Sequence, residues 1–316
     1  MLRKDEAMDR LDIRLLGQLA RGFTTFGPRT EVKGAYRRIA KNLGVDEDTI
    51  RKRVERLRTT GLFRGWRLIV NPRVLGVEIF AVWMTVGPAL TVDAAIRKIR
   101  LLPGVVRIIQ EVGDELGVLL LCKNQEVFKK RLELISELVD ARNVMTYFNQ
   151  PPKIGIEITK TDWEVTNRLR RDPDVRYSQL AMELRLSGRT VKRRVTRLID
   201  GEAIFFIPDI NVKLLEGAVC IDLLVNYTSG SYKREVDTNI FSRFQEYLWR
   251  AGFGGTEQGH FEFIVPSVSV AQEIDAWVRG LKGVRAVRLA FVYDWMVFST
   301  EAMDEIIRAK IDHSTG

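Results

Sequence analysis

The chain has 316 residues, 46% of them hydrophobic, with 50 Lys and Arg against 41 Asp and Glu and a formal net charge of +9. That composition suits two to four packed domains and excludes a disordered or low-complexity chain. No apolar run reaches the roughly 18 residues of a membrane helix, and the opening Arg3, Lys4, Asp5 and Glu6 lack the apolar segment of a secretory signal.

Taken in chain order, Leu11, Leu15, Leu16 and Leu19 sit at helical spacing and predict a helix over 9–21. A loop rich in Gly, Thr and Pro follows from Gly22 to about Gly34. Its Arg29 and Lys33, with Arg21 before and Arg37 and Arg38 after, are candidate phosphate contacts or simply a solvated insertion. A short helix over 35–43 turns Ile39, Ala40 and Leu43 inward, and Gly44-Val45 makes a tight turn. A basic helix then runs to about Thr60, where Gly61 stops it. The stretch 63–70 reads as a small hairpin with Gly65 near its tip. Helix, helix, turn, basic helix and hairpin is the order of a winged helix-turn-helix.

A different texture follows. A strand over 78–86 leads to a helix over 92–101, strands over 105–112 and 116–122 around Gly113-Asp114, a helix over 126–139 and a strand over 142–148. This β-α-β-β-α-β order is the ferredoxin-like unit. Pro151-Pro152 marks a seam, and the whole pattern then begins again. Helices are predicted over 162–169 and 177–184, then the basic helix, then a hairpin over 204–212 around Pro208. A second β-α-β-β-α-β run occupies 218–293. The tail over 301–311 is helical, with Met303, Ile306 and Ile307 as a packing edge.

The expected architecture is therefore α+β, with two winged helix-turn-helix domains alternating with two ferredoxin-like domains. The boundaries fall at 1–72, 76–150, 153–213 and 217–298, with a C-terminal helix over 299–316. The two cysteines, Cys122 and Cys220, each lie in an apolar run. They read as small buried hydrophobes in a reducing, cytoplasmic compartment rather than as a disulfide.

The basic helix is written twice, 141 positions apart: DEDTIRKRVERL from Asp46 and SGRTVKRRVTRL from Ser187. Charge follows the repeat. Residues 1–72 hold a net +8 and residues 153–215 a net +4, while the remainder holds −3. Two basic modules on a near-neutral scaffold make the electrostatic footprint of phosphate-backbone binding. A membrane surface fits less well, because neither helix has a broad apolar face. In each copy Ile50/Val191, Val54/Val195 and Leu57/Leu198 face inward. Arg53 and Arg194 lie beside that stripe, where an arginine stem packs and its head reaches outward. The candidate DNA-contacting residues are Thr49, Arg51, Lys52, Arg53, Arg56 and Arg58 in the first copy, and Arg189, Thr190, Lys192, Arg193, Arg194 and Arg197 in the second. The plain alternative is a solvated amphipathic helix. The copies also differ. Asp46-Glu47-Asp48 opens the first helix, where acids favour the helix dipole but repel phosphate. Arg185 replaces Gly44 in the turn, where a positive φ would strain any residue but glycine.

With Leu180-Ala181, Ser187, Thr190-Val191, Arg193-Arg194-Val195 and Arg197-Leu198, and with Pro103-Gly104-Val105 leading to Val112-Gly113-Asp114, the chain resembles the Lrp/AsnC, or feast/famine, transcription regulators. Nearly the whole chain is covered, as two fused regulator-like halves. The resemblance implies binding to double-stranded DNA, transcription control, assembly through the ferredoxin-like sheets and a small-molecule effector. It implies no enzyme activity, cofactor, metal or membrane partner. On that basis Gly113, Asp114, Gly254 and Gly255 are candidate effector-binding positions; the plain alternative is tight turns between strands. The family's turn reads Gly-Asp-aromatic-Asp, whereas Glu115-Leu116 follows here, and the second half has a longer turn without the Asp. Assembly is expected as an intramolecular pseudo-dimer, a homo-oligomer or both.

Two other readings stay open. Siroheme decarboxylases share the two-domain layout and are sometimes fused in tandem, but nothing here matches their His-containing strand. His260 and His313 are the chain's two histidines. A protein-interaction scaffold that has lost DNA binding is the third, and the charge partition argues against it. The two Cys and two His are scattered, with no metal-ligand spacing. No Gly-rich phosphate loop or Gly-x-Ser-x-Gly nucleophile motif is present.

Overall fold

A computed structural model describes residues 7–20, 35–252, 255–297 and 301–313. Two helix-turn-helix modules ride on one large antiparallel sheet. The first module comprises α1 (Arg10–Ala20), α2 (Tyr36–Leu43) and α3 (Glu47–Thr59), followed by β1 (Phe63–Val70) and the short α4 (Pro72–Leu75). The second comprises α7 (Lys160–Arg171), α8 (Tyr177–Glu183) and α9 (Gly188–Asp200), followed by β6 (Ile204–Ile210) and a 3-10 turn at Val212–Leu214. In each module two helices precede the basic helix, as expected. Apolar stripes at helical spacing cause both bundles: Ile50, Val54 and Leu57 on α3, and Val191, Val195 and Leu198 on α9, are all buried. The Gly22–Gly34 loop lies outside the described residues.

The expected wing hairpins do not form. Residues 63–70 make one strand and residues 204–210 another, and the two pair antiparallel as a ribbon, with Phe63 opposite Ile210, Trp66 opposite Pro208 and Val70 opposite Ile204. Gly65 is not a turn tip. It sits at a register shift in β1 with φ +118°, where a side-chain carbon would fall 2.6 Å from Asp174 Oδ2. That close approach lets Asp174 accept the Trp66 N–H at 3.2 Å. Pro208, which donates no backbone hydrogen bond, is tolerated because the ribbon has two strands and so presents an open side. Each module therefore completes its fold with a strand of the other.

The remaining strands are β2 (Glu78–Thr85), β3 (Val105–Glu111), β4 (Glu115–Cys122), β5 (Arg142–Asn149), β7 (Val219–Tyr227), β8 (Leu248–Ala251), β9 (Gln258–Val265) and β10 (Val284–Val297). They form one eight-stranded sheet of order β5-β2-β4-β3-β10-β7-β9-β8. Each half keeps the ferredoxin-like strand order, and β3 and β10 join edge to edge, with Trp295 opposite Ile109. Helices α5 (Val92–Ile99) and α6 (Gln125–Val139) cover the first half with a core around Val82, Ile108 and Ile135. Helices α10 (Gly230–Phe244) and α11 (Val268–Arg279) cover the second with a core around Leu223, Ile240 and Ile274. The other face joins the core that the two modules share, to which Trp83, Ile109, Trp249 and Trp295 belong. Ring and ion contacts cross between the halves there. Trp83 meets His260 edge-on at 5.2 Å, and Arg107 donates to Glu262 at 2.7 Å. Cys122 and Cys220 are both buried and unlinked. The last helix, α12 (Glu301–His313), buries Ile307 and rests Met303 and Ile306 on the shared core.

Candidate nucleic-acid interface

Both basic helices start the same way. The Asp46 carboxylate accepts the Thr49 N–H at 2.7 Å and caps α3, and the Ser187 hydroxyl accepts the Thr190 N–H at 3.0 Å and caps α9. Thr49 and Thr190 are thus part of the caps, each with its own hydroxyl also bonded to the capping side chain. The preceding turn is left-handed in both modules: Gly44 has φ 71° and Arg185 has φ 53°. Val45 N–H donates to Ala40 at 3.1 Å and Leu186 N–H to Ala181 at 2.8 Å, so the geometry is equivalent and Arg185 adopts it without glycine's freedom.

Four of the expected DNA-contacting arginines turn inward to one buried acid in each module. Arg53 donates to Asp12 at 2.8 Å, and Arg56 donates to the other oxygen of the same carboxylate. Arg194 and Arg197 donate to the two oxygens of Asp162, each at 2.8 Å. Both acids are fully buried. Burial by itself would raise the Asp162 carboxyl, but hydrogen bonds from Thr159 and Arg194 outweigh it and hold the group below the usual carboxylate range. Each lock ties the first helix of a module to its basic helix. The sequence signal was available: an Asp at the head of α1 and of α7, and Arg-x-x-Arg on each basic helix.

The remaining cations differ between modules. On α3, Arg51 pairs with Glu47 at 2.5 Å and lies 5.1 Å over the Tyr36 ring, and Lys52 pairs with Asp48 at 2.7 Å. Arg58 reaches Asp174 of the second module at 3.5 Å and lies over Phe63. On α9, Arg189, Lys192 and Arg193 are exposed, and among the described residues they pair with no carboxylate. They lie at helix positions two, five and six, on the N-terminal turns that reach bases in a helix-turn-helix.

Of the expected effector positions, Gly113 is an exposed turn residue with φ +98° and open space around it. The Asp114 carbonyl accepts the Val86 N–H at 2.7 Å. A side-chain carbon added at Gly255 would fall 3.2 Å from the Phe148 carbonyl oxygen, and Gly254 lies outside the described residues. None of the described three lines the main cavity. That cavity, of about 440 Å³, lies instead beneath the ribbon. Sequence reasoning missed it, because its arginines Arg67, Arg107, Arg170, Arg171 and Arg250 come from four separate elements.

Inside the sheet three buried acids are held by cations. Arg107 and Arg250 both engage Glu262, Arg288 engages Glu111 and Glu115, and His260 lies 3.1 Å from Asp222. Burial would lower the His260 pKa, but the adjoining Asp222 carboxylate carries it above the usual histidine range. Asp222, His260 and Glu262 are mutually within 4.8 Å. Two arginines already occupy Glu262, which leaves little carboxylate charge for a cation.

The architecture is thus helix-turn-helix plus ferredoxin-like, laid out along one chain. No family model matches it. In sequence, 107 residues, 34% of the chain, are 28% identical to the HTH-type transcriptional regulator Ptr1 of Methanocaldococcus jannaschii and span 66% of that protein. A further match of 72 residues, 23% of the chain, is 32% identical to the regulatory protein AsnC of Haemophilus influenzae and spans 42% of it. The chain therefore spans less than two thirds of either relative. The resemblance to Lrp/AsnC regulators is borne out over about a third of the chain. In three dimensions, the siroheme decarboxylase NirDL has a similar fold over 96% of this chain and 99% of its own, at a TM-score of 0.52 and 13% identity. That likeness is one of fold.

Proposed function

We propose that this chain is a transcription regulator that binds double-stranded DNA through two unlike helix-turn-helix modules, with α9 as the stronger contact. The observation that carries the reading is the trio Arg189, Lys192 and Arg193 at the start of α9, exposed and paired with no carboxylate among the described residues. It is supported by the basic excess of both modules and by relatives that are HTH-type regulators. In this reading the two ferredoxin-like halves act as an intramolecular pseudo-dimer, the domains follow the boundaries expected above, and the protein works in the cytoplasm. The unlike modules favour an asymmetric operator.

The test is a gel shift of the full chain on random duplex between 50 and 200 mM salt. Binding that weakens steeply with salt is expected, and no binding at the lowest salt would overturn the reading. The NirDL-like fold over the whole length favours a second reading, decarboxylation of a tetrapyrrole. The exposed basic residues at the start of α9 and the HTH-type relatives favour the regulator. A mass spectrum showing carbon dioxide lost from siroheme on incubation with the chain would replace it with the enzyme.

A further inference from the structure

We propose that the cavity beneath the β1–β6 ribbon is a binding site for a carboxylate-bearing ligand with an apolar body. Its floor is sheet: Ile79 of β2 and Leu119 and Leu121 of β4. Its roof is the ribbon, from Trp66 to Val70 with Ile207 and Asp209 opposite. The end of α7 and Met303 of α12 close one side. The volume, about 440 Å³, is that of a small-molecule site, and most of the lining is apolar.

The polar part of the lining is one-sided. Five guanidinium groups, of Arg67, Arg107, Arg170, Arg171 and Arg250, meet one lining carboxylate, Asp209. Glu262 also pairs with Arg107 and Arg250, and Asp304 with Arg170. Arg107 is buried, its terminal nitrogens are engaged by Glu262 at 2.7 and 3.3 Å, and its Nε–H is left unmatched. The Nε–H of Arg67 is buried and unmatched too, although Asp209 holds the end of that side chain at 2.9 Å. A buried donor without an acceptor is costly, and positive charge in an apolar cavity is costlier. A carboxylate in the cavity answers the positive charge, and a guanidinium matches its geometry with two parallel bonds. The hydrophobic floor sets the other half of the recognition. Exposed Arg171 at the rim pairs with no carboxylate among the described residues and is placed to meet an entering anion.

The test is calorimetric titration of the full chain with octanoate, naphthalene-2,6-dicarboxylate, octanamide and inorganic phosphate. At least one of the two carboxylates should bind. Octanamide should bind roughly tenfold or more weaker than octanoate, or not at all, because it cannot form a charge-assisted pair. The tighter of the two carboxylates identifies the body as a flexible chain or a flat ring. Ile79→Trp, which fills the floor without touching an ion pair, should abolish binding while leaving the melting temperature within a few degrees. Arg171→Ala should weaken it roughly tenfold and serves if the larger residue prevents folding. The proposal fails if neither carboxylate binds, if octanamide matches octanoate, if phosphate alone binds as tightly, or if neither variant changes the affinity.

Discussion

Helices α3 and α9 carry nearly the same basic sequence and the same inward Asp–Arg–Arg lock, yet their outer faces are opposites. On α3 the outward cations are matched by Glu47 and Asp48 of the same helix and by Asp174 of the other module. On α9 the corresponding cations are left to solvent. The modules are also seated differently. The first is held close to the sheet: Gly17 of α1 faces the Leu248 carbonyl, 3.1 Å from where a side-chain carbon would start, and Arg10 reaches Glu246 at 2.8 Å. The second leans on α12, through Arg170 and Asp304, and the cavity opens beside it. The shared lock is what the fold requires. The exposed charge, which the fold does not need, is where the two copies have parted.

The lock should be equal in the two modules. Asp12→Ala and Asp162→Ala are each expected to cost about 3 kcal/mol, since each leaves two guanidinium groups without their buried partner. Urea unfolding of the two variants checks this, and a clear inequality would break the comparison at its base. The outer faces should be unequal. Replacing Arg189, Lys192 and Arg193 together by Ala should flatten the salt dependence of DNA binding by about 2 to 3 logarithmic units per decade. Replacing Arg51 and Lys52 should change it by less than about one unit, because their charge is already spent. Equal losses would show that the Glu47 and Asp48 pairs open on DNA.

The next effect belongs to neither module. Burial raises the Glu111 carboxyl to about 7 despite the Arg288 guanidinium beside it, against an ordinary 4.5. The unfolded chain therefore releases this proton first, and stability falls as pH rises from 4.5 towards 7, then levels. Glu111→Gln should remove that slope while leaving the two modules' relative DNA affinity unchanged. Unfolding midpoints at pH 5 and pH 8 check it. The smallest effect is in the turn. Arg185→Gly should stabilise the second module by about 1 kcal/mol, and Gly44→Ala should destabilise the first by a similar amount.

Much of this was legible in the chain because it is local. The 141-residue offset, the capping Asp46 and Ser187, the left-handed turn and both β-α-β-β-α-β runs follow from short-range spacing. The wings were not legible. Gly65 and Pro208 look like turn residues, and nothing near them says that 63–70 pairs with 204–210. The inward aim of Arg53, Arg56, Arg194 and Arg197 was half visible. The place of Arg53 and Arg194 beside the apolar stripe shows in the periodicity, but the buried acid is a tertiary partner. The arginine cavity was invisible, since its members are dispersed and none stands in a motif.

The ribbon also sets an order of events at the ribosome. Residues 63–70 leave the ribosome well before 204–210, and β3 likewise precedes β10. At 5–20 residues per second the first strand waits on the order of 7 to 30 seconds for its partner. Through that interval the nascent chain carries an open strand edge, the kind of surface that pairs with a neighbouring chain. Emergence of β6, and then of β10, rather than completion of the first module, closes these two edges.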